Sequence, residues 1–167
     1  IADIAVLVVD IMQGFQPQTI ESIRILREFK TPFIVAANKV DLISGWRSRT
    51  EAQGACSVLS NISSQPEHAQ TRLDELLYGL VGKLSERGIE SERFDRVTDF
   101  TKQVAIIPVS AKTGEGLPEL LLSIAGLSQK FLEASLKTDV SGIGKGSILE
   151  VKEEKGLGTT IDVILYD

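Results

Sequence analysis

Residues 33–46 read FIVAANKVDLISGW. Phe33 to Ala37 are apolar without interruption, and the run ends abruptly in Asn38-Lys39-Val40-Asp41. A strand that is apolar at every position has both faces covered, the pattern of a parallel sheet. Two similar runs stand on either side: IAVLVV at residues 4–9, ending at Asp10, and VAIIPV at residues 104–109, ending at Ser110. Each is expected to be a fully buried strand. Helical spacing fills the intervals. Pro17 has the fixed φ of a first helical turn; Ile20, Ile23, Leu26 and Phe29 give an apolar stripe, and Thr31-Pro32 stops the helix. Leu73, Leu76, Leu77, Leu80, Val81 and Leu84 follow the i, i+3, i+4, i+7, i+8, i+11 spacing of one helix face, with Pro66 upstream and Gly88 as C-terminal cap. Leu117–Leu136 reads as another amphipathic helix, with Pro118 in its first turn. Ser57–Gln65, SVLSNISSQ, is polar and reads as a loop. Alternating strands and helices imply an α/β fold, a parallel sheet with right-handed crossovers and helices on both faces.

The 167 residues suffice for one domain, or one domain with a piece of another. With 43% hydrophobic and 25% charged residues the composition is that of a soluble globular protein. A net charge of -5 supplies no overall basic field, which argues against direct DNA binding. The single Cys56 cannot form an internal disulfide and fits the reducing cytoplasm. No apolar run approaches the roughly 20 residues that span a bilayer, so no membrane partner is expected. The chain opens at Ile1 rather than Met and enters a strand almost at once, as expected of a piece of a longer protein. Its character changes near Lys137. Residues 138–142 are a linker by composition, and residues 143–167 hold two β-rich runs around the turn KGLG, a hairpin too short to be a domain by itself.

Asn38, Lys39 and Asp41 fall just past the carboxyl end of a buried strand, the edge at which open α/β sheets bind ligands. The residue types suit a guanine base. A carboxylate at Asp41 accepts from both N1–H and the N2 amino group. Adenine presents an acceptor at N1 and has no N2 amino group, so it would leave that charged acceptor unsatisfied at a cost of about 1–3 kcal/mol or more. Asn38 can donate to N7 and brace neighbouring loops, and the methylenes of Lys39 can lie over the ring. The plainer reading is a polar turn after a strand. A second motif weighs against it. VSAKTGEGL, residues 109–117, follows the third buried strand, so Ser110, Ala111 and Lys112 emerge at the same edge. The Ala111 N–H can donate to guanine O6, which adenine's amino group would refuse, and the Lys112 stem can cover the other face of the base. Two such motifs in this order, each after a parallel strand, make the plain turn a poor account.

The chain resembles the second half of a Ras-like, P-loop GTPase domain. VVDIMQGFQPQT narrows the resemblance to translational GTPases. NKVDLISGW, RLDELLYGLVGKL, ERFDRVTDFTKQVAIIPVSAKTGEGLPELL and GSILEVKEEKGLGTTIDVILYD narrow it further. These segments resemble the archaeal and eukaryotic subunit-joining translation initiation factors, the initiation factor five B family related to bacterial initiation factor two. The resemblance covers most of the chain; residues 47–69 alone are unremarkable. It implies a partial GTPase domain over residues 1–137, with a helical insert at about 46–100, and the first hairpin of a β-barrel domain over residues 143–167. It also implies binding of GTP and GDP through Asn38, Lys39, Asp41, Ser110, Ala111 and Lys112. Mg²⁺ would be held in the intact protein by residues outside this chain. The ribosome and initiator tRNA would be partners of the intact factor, with GTP hydrolysis as its switch. Two alternatives remain at this point: another translational or ribosome-assembly GTPase, and a non-catalytic scaffold that keeps a vestigial guanine pocket.

SGIGKGSIL, residues 141–149, imitates a phosphate loop placed late in the chain. Gly-x4-Gly-Lys-Ser/Thr is required before a helix. With Gly144-Lys145 as the pair, Asp139 stands where the first glycine belongs and Gly146 where the hydroxyl belongs. No phosphate loop is therefore read in these residues, no catalytic or metal-binding residue is assigned, and the chain alone is expected not to hydrolyse GTP. His68 is read as a surface residue and Trp46 as a core residue that could pack on the insert.

Overall fold

The computed structural model describes residues 3–48, 57–132, 146–154, 156 and 158–165. The chain divides into two compact units, Ile1–Leu132 and Glu133–Asp167. In the first, β1 (Ala5–Asp10), β2 (Phe33–Asn38), β3 (Ser91–Arg93) and β4 (Val104–Val109) form one sheet in the order β1-β2-β4-β3. Every pairing is parallel. The register is what matters for function. Asp10 stands opposite Asn38, and Asn38 opposite Val109, so three strands end in line at one edge.

Helices α1 (Pro17–Glu28) and α3 (Glu67–Ser85) cover one face and α4 (Leu117–Leu132) the other. Helix α2 (Val58–Ser64) lies between β2 and β4 in the chain, beside α3. Leu7, Val9, Val35, Ala37 and Ile106 meet Ile23 of α1 and Leu73, Leu77, Leu80 and Leu84 of α3. Ile34, Ala36, Ala105, Ile107 and Val109 meet Leu127 of α4, with Leu120 and Ile124 packed against them. The leucine spacing of α3 is thus read out as burial. Gly88 stops that helix at φ +68, a left-handed conformation that glycine adopts without Cβ strain. Its N–H donates to Ser85 O, and the next N–H, of Ile89, reaches back to Leu84 O. That pair of bonds is the Schellman arrangement for orphaned terminal carbonyls.

The structure corrects three expectations. Strand β1 is not buried on both faces: Leu7 and Val9 are covered, whereas Val6 and Val8 are 37% and 60% exposed. It is the end strand of the described sheet, covered by α1 on one side only. The α1 stripe is likewise partial, since Ile23 is buried but Ile20 and Phe29 are exposed. Residues 57–65 are not a loop. Val58 and Ile62, one helical turn apart, are both buried and make α2 an amphipathic turn whose polar residues are used internally. The short strand β3 and the single 3₁₀ turn at Val40–Leu42 had no sequence signal long enough to stand out. The last residues read into the Leu117–Leu136 helix, and the linker at 138–142, lie outside the described residues.

In the second unit β5 (Gly146–Glu154) and β6 (Gly158–Leu165) pair antiparallel, with Gly146 opposite Leu165. A register shift falls between Ile148 and Glu150. The hairpin keeps Ile148, Val151, Ile161 and Ile164 exposed.

Leu77 is 4% exposed at the centre of the α3 face. Leu77→Asp places an unpaired charge there and should destabilise the intact protein by roughly 3–5 kcal/mol. An unchanged melting temperature would show that this face is not core.

Candidate functional site

Two loops meet at the carboxyl edge of the sheet. The first leaves β2 at Asn38. Lys39 takes φ +75, which turns the chain sharply into the 3₁₀ turn and places Asp41 back toward the edge. The second leaves β4 at Ser110 and returns into α4 through Gly114 and Gly116, both at positive φ. A Cβ on Gly116 would lie 2.2 Å from Pro108 O, so no larger residue fits the return.

The loops are joined by direct hydrogen bonds. Ser110 Oγ donates to Asp41 Oδ1 at 2.6 Å. Asn38 Oδ1 accepts from its neighbour Lys39 N–H at 2.8 Å and from Ala111 N–H, across the gap, at 3.0 Å. Ser110 is fully buried, Asn38 and Asp41 are half-buried, and Lys39, Ala111 and Lys112 are exposed. All six residues singled out in the sequence therefore reach one edge. Asn38, Asp41, Ser110 and Ala111 are brought together directly. Lys112 is placed in the same loop with its side chain open to solvent.

Asp10, at the end of β1, was not among those six. Its Oδ2 accepts from Lys39 Nζ at 2.7 Å, and its Oδ1 from the N–H groups of Met12 and Gln13 at 2.9 and 3.3 Å. Burial pushes the Asp10 carboxyl up, but the Lys39 hydrogen bond and the two backbone donors together outweigh it and hold the group below its ordinary value. The pair aims the Lys39 side chain along the sheet edge. The available signal was positional: Asp10 ends its apolar run as Asn38 and Ser110 end theirs.

A second omission lies behind the loops. Glu115 is fully buried in the Gly-rich return. Its carboxylate accepts from Thr113 Oγ1 at 2.6 Å, from Trp46 Nε1 at 3.3 Å and from Asn61 Nδ2 of α2. Trp46 is accordingly half-buried against the core and also a hydrogen-bond donor. His68 is exposed as expected but not idle: its ring lies over Gly45, where a Cβ would come within 2.1 Å of Nε2. Among the described residues no group of three or more His, Cys, Asp or Glu side chains could hold a metal ion. Nor is any helix there long and apolar enough to cross a membrane. A cavity of about 330 Å³ opens between Leu26, Phe33, Phe100 and Phe131. It lies where β2 and β4 begin, at the far end of the sheet from these loops, and shares no residue with them.

Comparison with known proteins shows the family and the fold. Residues 1–130 match the family described as the elongation factor Tu GTP binding domain. A probable translation initiation factor IF-2 of Thermococcus onnurineus is 59% identical over all 167 residues, and that of Methanocella arvoryzae 54%. The chain spans 27% of the length of each. Among solved structures, GDP-bound aIF5B from Aeropyrum pernix superposes with a TM-score of 0.86 at 45% identity, over 99% of this chain and 27% of that one. The elongation factor SelB of Methanococcus maripaludis, at 24% identity and a TM-score of 0.53, shares the fold. The chain belongs to the translational GTPases, in the family of the elongation factor Tu GTP-binding domain, and it is similar throughout its length to the archaeal IF-2/aIF5B initiation factors.

Proposed function

We propose that this chain is the guanine-reading part of a GTP-hydrolysing translation initiation factor. One observation carries the reading: Asn38–Asp41 and Ser110–Lys112 stand at one sheet edge and are bonded to each other, Ser110 to Asp41 at 2.6 Å and Ala111 to Asn38 at 3.0 Å. Asp41 accepts from N1–H and the N2 amino group of guanine, with Ser110 fixing the carboxylate's orientation. Asn38 braces the second loop and faces N7. The Ala111 N–H is the donor for guanine O6; because it now donates to Asn38, base binding must share or re-aim that amide. Lys39, steered by Asp10, covers one face of the ring and Lys112 the other.

In the intact factor residues 1–137 are the second half of the GTPase domain and residues 143–167 open a β-barrel domain. In this reading Mg²⁺ and the phosphate contacts belong to the rest of the parent protein. When bound there, Mg²⁺ would supply positive charge to the phosphates. The switch acts in the cytoplasm, in subunit joining on the ribosome and placement of initiator tRNA. Its similarity to translation initiation factor IF-2 and aIF5B supports the initiation setting.

Asparagine at position 41 can turn a donor toward the base, and xanthine carries an oxygen where guanine has its N2 amino group. Asp41→Asn in the intact factor should therefore cost about 3 kcal/mol, a hundredfold in GTP affinity, and favour XTP. Unaltered GTP affinity would remove Asp41 from base reading. Asp10→Asn should release Lys39 and weaken GDP binding severalfold. Because the Asp10 carboxyl is held low, its contribution to stability is full above the ordinary carboxylate range and is lost as pH falls through the folded value. The stability gap between parent and Asp10→Asn should thus narrow below about pH 4; a gap independent of pH there would contradict the ion pair. The 167-residue chain alone should show no GTP turnover above background, since phosphoryl transfer rests on positioned phosphates and metal.

A further inference from the structure

A buried carboxylate is costly unless donors surround it, and it is seldom needed for packing alone. Glu115 is fully buried, and its donors come from three different places. Trp46 lies in the segment that leaves β2 at Asn38. Thr113 belongs to the loop that begins at Ser110. Asn61 belongs to α2, in the insert. The backbone of the same residue completes the connection: Glu115 O accepts from Ser110 N–H at 2.9 Å, and Ser110 Oγ donates to Asp41.

On the far side the chain of bonds continues into the insert. Asn61, 2% exposed, accepts at Oδ1 from Gln65 Nε2 at 2.9 Å. Gln65 clamps the backbone of Arg47 from both sides, accepting from its N–H at 2.7 Å and donating to its carbonyl at 2.8 Å. Glu119 of α4 ties the same helix a second time, its Oε1 accepting from Val58 N–H at 3.0 Å.

We infer that Glu115 is a positioning residue that clasps both base-reading loops to α2, so that the insert sets the strength and selectivity of guanine binding. The inference rests on the base-reading role proposed above. Glu115 touches no part of the base; it acts through Ser110, whose backbone and hydroxyl hold the Ala111 amide and the Asp41 carboxylate at their working separation. The insert is then part of the nucleotide site rather than a decoration on the sheet. A change in α2, including one caused by a partner that grips it, is transmitted to the loops through direct hydrogen bonds.

The test uses the intact factor and four variants: Glu115→Ala, Glu115→Gln, Asn61→Ala and the Glu115→Ala/Asn61→Ala double. GDP and ADP affinities are measured well below the melting temperature. ADP uses phosphate contacts but not the guanine contacts, so the GDP-to-ADP ratio isolates base reading from folding. Glu115→Ala and Asn61→Ala should each lower that ratio about fivefold or more, and together by less than the product of the two, because they break one network. Glu115→Gln keeps an acceptor oxygen and should restore most of the ratio. Should Glu115→Ala not fold, Asn61→Ala carries the comparison alone. Variants that melt earlier yet keep the parental ratio would reduce Glu115 to a structural group and overturn the inference. A parent protein with no preference for GDP over ADP would instead overturn the base-reading role itself.

Discussion

Asn38 lies opposite Val109 in a parallel strand pair, and the site depends on that register. A slip of one residue would move every side chain of β2 to the other face of the sheet. Val35 and Ala37 would leave the α1/α3 side, and Asn38 would no longer end level with Ser110. The core enforces the register because both faces of β2 are covered: Phe33 through Ala37 are all buried. Packing and recognition are therefore one constraint. The apolar residues cannot choose another alignment without exposing a face, and the alignment they choose delivers two polar loops to the same edge. The parallel arrangement also requires a crossover between β2 and β4, and the insert with α2 and α3 occupies that crossover.

At the edge, geometry is held by polar contacts that are themselves protected. Ser110 is buried and fixes Asp41. Asn38 fixes the second loop through one shared oxygen. Lys39 adopts a left-handed backbone that a residue with a Cβ takes up only at some cost, and its side chain is steered by Asp10. Strain of this kind is kept where the surrounding contacts over-determine it. Behind the edge, the Glu115 carboxylate gathers donors from both loops and from the insert. Loops otherwise free to drift are tied to a rigid sheet on one side and to a helix on the other, which is the preorganisation that selective binding needs.

The sheet and its site edge were legible because their signals are strong and local. Three uninterrupted apolar runs and one heptad-like leucine stripe leave little choice of fold, and each motif proposed to read the base starts where an apolar run ends. Less legible were features decided by neighbours far along the chain. SVLSNISSQ is polar by composition, yet Val58 and Ile62 suffice to bury one turn, and Asn61 and Gln65 are polar because their partners are Glu115 and the Arg47 backbone. Glu115 sits between two glycines with no amphipathic face to explain it, a clue that only contacts across the loop could resolve. Val6 and Val8 belong to an apolar run that reads as doubly covered, but whether a strand is central or terminal depends on which strands lie beside it. Asp10 was visible only as the residue on which an apolar run stops; its link to Lys39, 29 positions away, appears once the strands are aligned.

The central claim is that these two loops read a guanine base through its N1–H, N2 amino group and O6. The most direct measurement is competition among GTP, ITP and ATP for the intact, unaltered factor at one salt concentration. Inosine keeps N1–H and O6 but lacks the N2 amino group, so it loses one of the two bonds to Asp41. The order should be GTP, then ITP weaker by about tenfold, then ATP weaker by about a hundredfold or more. Equal affinity for GTP and ATP would contradict the account.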